Sequence, residues 1–299
     1  MKKPIKSLPE DKPRIYTEEK VIIHKPGELK KNLCISPWLL KKSRTSSRIR
    51  GVLWTLTGTA FLIFVWELAA GFYGSGLILP GPLPVFRQFI SLIQTRRFLS
   101  ALGGSLVRVL GGIIIAVPLG MAAGISAGLD RRVNAFLKPL FQVISATPVL
   151  SVILIAFLFL GAGRTPLFTA FLMVFPVMAA NAIEGMHSTD PKYKELFIAF
   201  RMSRKETLKY LYIPSLAPFI LGGLRSSLSL CWKVVVAAEV IVQPLGSLGA
   251  GMQQAKAQLE TPELFAWTAA TVIAAASTQG VFSLLIKQYG RGRKSGGSK

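Results

Sequence analysis

Uncharged apolar runs of bilayer length constrain this chain more than any other feature. Gly51 to Ala70, Leu102 to Ile125 and Thr165 to Ile183 each carry at most one charged residue. A helix of about 20 apolar residues crosses the roughly 30 Å hydrocarbon core of a bilayer. The competing reading is a large soluble protein with buried helices. It needs a charged surface, and only 17% of the residues are charged against about 25% in soluble domains. The sequence therefore predicts an all-α membrane protein.

Six apolar blocks predict six transmembrane helices: Gly51 to Gly71, Leu102 to Gly128, Pro139 to Leu160, Thr165 to Glu184, Ser215 to Ala238 and Glu263 to Ile286. Between the first two, Leu79-Pro80-Gly81-Pro82-Leu83-Pro84 is too rich in proline for a helix interior, and Val85 to Ile93 predicts a short surface helix. In the second block Gly120, Gly124 and Gly128 repeat every four residues, a face on which another helix approaches closely. Asp130 to Lys138 reads as a short charged loop. In the third block Thr147-Pro148 breaks the helical pattern, because Pro148 has no backbone donor. The break either lines a water-filled path or is a simple kink. Gly161 to Arg164 reads as a tight turn.

The formal net charge is +22, which in a soluble protein points to nucleic acid. Its placement points elsewhere. With the N-terminus inside, the outer segments hold only Arg87, Arg96, Arg97, Arg164 and Lys256, and the spans hold Arg108, Arg225 and Lys233. The remaining Lys and Arg fall on inner segments, which is the positive-inside pattern and gives no role to nucleic acid. Both termini are then cytoplasmic. Arg108 is expected to snorkel from the end of the second span.

Residues 1–50 read as a basic cytoplasmic tail without a signal-peptide pattern, 51–290 as the transmembrane domain and 291–299 as a cytoplasmic end. Cys34 and Cys231 show no pairing or metal spacing, and His24 and His187 are isolated, so no cofactor or metal is expected.

The inner segment between the fourth and fifth spans, 187–214, carries the most information. Asp190 is placed to cap a helix that opens on Pro191. Ser203-Arg204-Lys205-Glu206 fits a capping box and starts a second helix, with Pro214 at its end or at a bend into the next span. The break falls near Arg201-Met202. Leu196, Phe197 and Phe200 form an apolar patch on a cytoplasmic helix, which calls for a partner surface or for packing on the chain's own membrane domain.

This segment resembles the cytoplasmic coupling loop of ABC importer permeases. Glu195 and Ile213-Pro214 stand at the spacing of that family's loop, while Leu196 and Phe197 replace its two alanines and Arg201 replaces its glycine. Leu79-Pro80-Gly81-Pro82, Ser105-Leu106-x-Arg108, Ala146-Thr147-Pro148 and Trp232 through Ala237-Ala238-Glu239 resemble the permeases for nitrate, sulfonates and taurine. The resemblance implies a type I ABC importer permease fold in the bacterial inner membrane. It also implies ABC ATPase subunits, an extracytoplasmic substrate-binding protein, a second permease copy and the lipid bilayer as partners. No GxxxxGK[S/T] loop occurs, so ATP hydrolysis is expected on a separate subunit and the chain itself is expected to be no enzyme. Glu195, Leu196, Phe197, Phe200, Arg201, Ser203, Glu206 and Pro214 become the residues expected at the ATPase contact, with Glu195 beginning the docking helix and Phe197 and Phe200 as its anchors.

Thr147, Pro148, Lys233 and Glu239 are the expected pathway or gate residues. For Glu239 at a span end, a place among lipid head groups is favoured over gating. Lys233 is expected to meet an acidic neighbour or a cavity. A secondary carrier driven by an ion gradient, the alternative function, calls for acidic or His residues inside the spans and related halves. A membrane-embedded enzyme calls for a convergent polar constellation. Neither pattern is evident in the sequence.

Overall fold

The computed structural model describes residues 37–74 and 78–295, so most of the expected N-terminal tail, with Cys34 and His24, lies outside the described residues. Among the described residues every regular element is helical. The chain divides after Leu62 into two units. Helix α1 (Pro37–Tyr73) runs through that boundary, and its stretch Val52–Phe72 is apolar enough to cross a membrane.

In the second unit α2 (Pro82–Ile93) starts three residues earlier than expected. Pro82 and Pro84 occupy its first turn, where a missing N–H leaves no intrahelical bond unmade. Trp66 donates from Nε1 to the Pro80 carbonyl at 3.1 Å and stacks on Phe265 at 6.0 Å. Helix α3 (Arg96–Leu129) begins at a Thr95 cap, whose hydroxyl accepts from the Phe98 N–H, and continues through Pro118.

Residues 131–146, expected as a loop that gives way to a span, form helix α4 (Arg131–Ala146). Asp130 caps it by accepting from the Arg132 N–H at 2.7 Å. The cluster of charges in the first turn hides the helical spacing of Phe136, Leu140 and Val143, which are all exposed. Pro148 then drives Thr147 into extended backbone (φ −72°, ψ 128°) and ends the helix.

Helix α5 (Val149–His187) is interrupted at Gly161, whose φ of 69° and ψ of 173° suit a residue without a Cβ. Six spanning helices were expected, and among the described residues five helices are long and apolar enough to cross a membrane. The difference lies in the third block. Pro148 separates α4 from Val149–Leu160, and that stretch is about 18 Å long at 1.5 Å per residue, too short to span alone. It joins the next span across Gly161, where the turn was expected.

After α6 (Pro191–Ala199), the short helix α7 (Arg204–Thr207) passes through a five-residue π-turn, Leu208–Tyr212, into α8 (Ile213–Val242). Pro214 therefore marks no end. The wider turn precedes it, closed by the Ile213 N–H on the Leu208 carbonyl. Two helices follow, α9 (Leu248–Ala257) within the expected outer loop and α10 (Thr261–Ser295).

The core lies where α3, α5 and α8 meet, around Val109, Ala116, Val174, Met178, Cys231 and Trp232. Small residues let α3 and α5 approach. A Cβ on Gly120 would stand 2.7 Å from the Phe175 carbonyl oxygen, one on Gly124 would overlap the Ala179 carbonyl, and one on Gly128 would stand 2.7 Å from the Met186 Cβ. The glycine face expected from the sequence is thus the seam between two spans. Of the candidate spans α8 is the most buried, which makes it the central helix of the unit.

Candidate functional site

Two places concentrate polar chemistry. The first is the segment from His187 to Pro214. Asp190 accepts from the Lys192 N–H at 2.9 Å and Pro191 takes the first helical position, as the sequence predicts. Glu195 does not begin the helix; it lies in its middle, exposed, because Asp190 and Pro191 set the start four residues before it. Helix α6 ends in a Schellman turn: the Met202 N–H donates to the Phe197 carbonyl at 3.1 Å and the Arg201 N–H to the Ile198 carbonyl at 2.9 Å. Arg201 takes the left-handed conformation at φ 53°, which a glycine adopts with less strain. The substitution keeps the turn at a cost of about 1 kcal/mol.

Ser203 and Glu206 form the expected capping box. Glu206 Oε2 accepts from the Ser203 N–H at 2.8 Å and from its hydroxyl at 2.7 Å, while the Glu206 N–H donates to Ser203 Oγ at 3.3 Å. The Lys194 ammonium lies 5.8 Å from the Tyr212 ring, which joins α6 to the π-turn. Leu196 and Phe200 are exposed, the latter at 73%, and Phe197 is half-buried. Tyr193 and Ile198 share this exposure and were not singled out from the sequence. Their signal was present, since both lie within the helix that Asp190 caps. Pro214 is exposed at the first turn of α8.

The second place is a junction of α3, α8 and α9. Glu239 is fully buried, so the head-group position favoured for it is wrong. Its carboxylate accepts from Ser105 Oγ at 2.7 Å, from Arg108 Nη1 at 3.0 Å and from the Gly249 N–H at 3.3 Å. Ser105 Oγ accepts in turn from the Leu248 N–H at 3.0 Å. Arg108 does not snorkel outward. It bonds the Leu245 and Gly246 carbonyls at 3.1 and 3.3 Å, and its side chain is only 15% exposed. A buried charge needs this degree of pairing, because removing a carboxylate from water costs several kcal/mol, recovered only with good geometry. Beside the junction a cavity of about 460 Å³ is bordered by Arg97, Gln243, Ser247 and Gln254.

The four expected pathway residues do not form one site. Glu239 belongs to the junction. Lys233, six positions earlier, lies about 120° away around α8 and is exposed. Thr147 is half-buried at the end of α4, its hydroxyl donating to the Val143 carbonyl at 2.7 Å, and Pro148 is exposed at the start of α5. No group of acidic, His or Cys residues suited to a metal occurs among the described residues.

Helices long and apolar enough to cross a membrane, together with a capped helix α6 that offers apolar side chains, define a multi-span membrane protein. Residues 116–291 match the model of the family described as "Binding-protein-dependent transport system inner membrane component", and the chain belongs to that family. It is 31% identical over 228 residues to the bicarbonate transport system permease protein CmpB of Synechococcus elongatus, covering 70% of this chain and 78% of that one. It is 29% identical over 233 residues to the taurine transport system permease protein TauC of Escherichia coli, covering 76% and 84%. Among solved structures, a bacterial ABC transporter involved in the import of the acidic polysaccharide alginate covers 84% of this chain and 98% of that one, with a TM-score of 0.57 at 13% identity, a likeness of fold. With relatives named for aliphatic sulfonates and nitrate also matching, the chain is an inner-membrane permease subunit of an ABC importer in the branch that the sequence resembles. It is no enzyme: the family works with a separate ATPase and with a substrate-binding protein, and the secondary-carrier alternative is not favoured.

Proposed function

We propose that this subunit, paired with a second permease copy in the bilayer, imports a small anion and receives the ATPase stroke through α6. The observation that carries the coupling reading is the capped, nine-residue α6 with Leu196, Ile198 and Phe200 exposed. Apolar side chains on a short, well-terminated helix suit insertion into a groove, where aromatic anchors dominate interface energy. Glu195, Arg201, Ser203, Glu206 and Pro214 serve that contact by shaping the helix, its turn and the exit into α8. Both termini and α6 face the cytoplasm, as the charge distribution supports. The block from Pro139 to Leu160 crosses as two half-helices joined at Thr147-Pro148, an arrangement suited to a helix break that borders a path. Closure of the ATPase subunits draws the coupling helices together and rocks the spans about that path. The anion is of the kind that the named relatives carry, a bicarbonate, nitrate or sulfonate; Arg108 and Glu239 hold the outer mouth in shape.

Co-purification of the ATPase with a Leu196→Ala/Phe200→Ala variant tests the coupling reading. Losing one aromatic anchor costs about 2 kcal/mol or more, so ATPase affinity should fall by more than about tenfold while the amount of subunit in the membrane stays unchanged. A variant that keeps its ATPase and transports normally rules out α6 as the coupling helix.

A further inference from the structure

We propose that Arg225, Ser229 and Lys233 form a cationic track along α8 that binds the anion as it crosses the membrane, with Lys233 as the principal contact. The inference rests on the permease reading and assigns its substrate contact. The three residues are four apart and so share one face of the helix. Arg225 and Lys233 are exposed, and Ser229 is half-buried.

Among the described residues the ion pairs are Arg97 with Glu263 and Arg108 with Glu239, so neither track cation has a carboxylate within 4.0 Å. Glu239, the buried acid of the same helix, is committed to Arg108, Ser105 and Gly249 on another side. Cations within spans face a bundle interior or an aqueous cavity rather than lipid. Beside Arg225 this face carries the small residues Gly222 and Ser226, and beside Lys233 it carries Ala237 together with the larger Leu230 and Val236. The small positions leave room next to the helix along the track.

A second feature opens on the same side. Val149, the first residue of α5, packs with Leu230 on the cluster of Val152, Met173 and Val234. It packs with Ala237 on the cluster of Ile153, Ala238 and Val242. Leu230, Val234 and Ala237 flank Lys233 on α8. The start of α5, just past the Pro148 break, therefore lies beside the track, and a helix N-terminus adds unpaired N–H donors and the positive end of a dipole. Arg225 and Lys233 stand about 12 Å apart along the axis. A small monovalent oxyanion meets one of them at a time and passes from one to the next.

The test uses the complete complex of permease, ATPase and binding protein in proteoliposomes, with nitrate, bicarbonate and an aliphatic sulfonate offered separately. Lys233→Met should reduce uptake of the transported anion at subsaturating concentration by about tenfold or more, while Lys233→Arg should stay within about threefold of wild type. The amounts of ATPase and of second permease copy in the purified complex should be the same in all three proteins. Wild-type uptake by the Met variant overturns the track. So does equal loss in the Arg and Met variants, which marks a shape requirement, and so does loss of the second copy from the Met variant, which marks an intersubunit ion pair. A wild-type complex that holds its ATPase yet carries none of the three anions overturns the ligand class. A wild-type subunit that fails to hold an ATPase instead overturns the permease reading beneath it.

Discussion

The guanidinium of Arg108 lies 3.0 Å from the carboxylate of Glu239, across 131 residues of sequence. The contact joins two short motifs that resemble the same branch of permeases, Ser105-Leu106-x-Arg108 and Ala237-Ala238-Glu239. Ser105 closes the arrangement by bonding both the carboxylate and the backbone of α9. One buried pair thus fixes the N-terminal part of α3, the C-terminal end of α8 and the loop carrying Leu245 and Gly246.

Removing one partner of this pair should be worse than removing both charges. Arg108→Met leaves a buried carboxylate without its counter-charge, a loss of about 3–5 kcal/mol. In the double variant Arg108→Met/Glu239→Gln the amide still accepts from Ser105, so the loss should be smaller than for Arg108→Met alone. Thermal unfolding of the purified complex, run as a double-mutant cycle, measures the difference. Additive losses would show that the two side chains do not interact.

The turn after α6 should accept glycine and reject a β-branched residue. Arg201→Gly removes left-handed strain of about 1 kcal/mol and adds back about 0.5–1 kcal/mol of unfolded-chain freedom, so the exchange should be close to neutral. Arg201→Val places a branched side chain at φ 53°, where it is a genuine outlier. Hydrogen exchange of the Arg201 and Met202 amides should stay slow in the Gly variant and accelerate in the Val variant, with ATPase capture following the same order.

The seam between α3 and α5 should tolerate no added bulk. Gly124→Val drives a side chain into the Ala179 backbone and Ala182 Cβ. Overpacking of this kind costs about 1–3 kcal/mol, enough to lower the yield of folded subunit in the membrane. Gly163→Ala has nothing within 4 Å of the new methyl and should leave that yield unchanged. Equal yields for both would dissociate the glycine spacing from helix packing.

Orientation is open to chemical labelling. In a Cys34→Ser background Cys231 is buried and silent, so a cysteine introduced at Gln258 or Ser203 reports alone. Both native positions are exposed. An impermeant thiol reagent applied to intact cells should modify the Gln258→Cys protein and spare the Ser203→Cys protein. The reverse pattern would invert the topology.

Features set by neighbours in the chain were the legible ones. Pro148 and Gly161 announce breaks because their backbones differ from those of other residues, and Ser203 and Glu206 announce a cap because both partners lie within one turn. The glycine spacing of α3 announced a close approach, although not that α5 makes it. Long-range pairing left no such trace: a glutamate at the end of an apolar run looks the same whether it ends in head groups or meets an arginine 131 residues away. Helix α4 was hidden for another reason, since its charged first turn and Pro139 mask an amphipathic repeat of only three residues.

The π-turn at Leu208–Tyr212 gives α8 an angular phase. An i to i−5 turn takes up one residue more than an α-helical turn, and each residue of an α-helix advances about 100°. The Arg225–Lys233 face is therefore indexed about a quarter-turn away from where an uninterrupted helix starting at the Ser203 cap would carry it. A chain one residue shorter in this stretch, wound as plain α-helix, would present the same face. Here the extra residue acts as a spacer between the Ser203 cap and the Arg225–Lys233 stripe, so a single-residue deletion at the π-turn should be absorbed where one deeper in α8 would turn the stripe away.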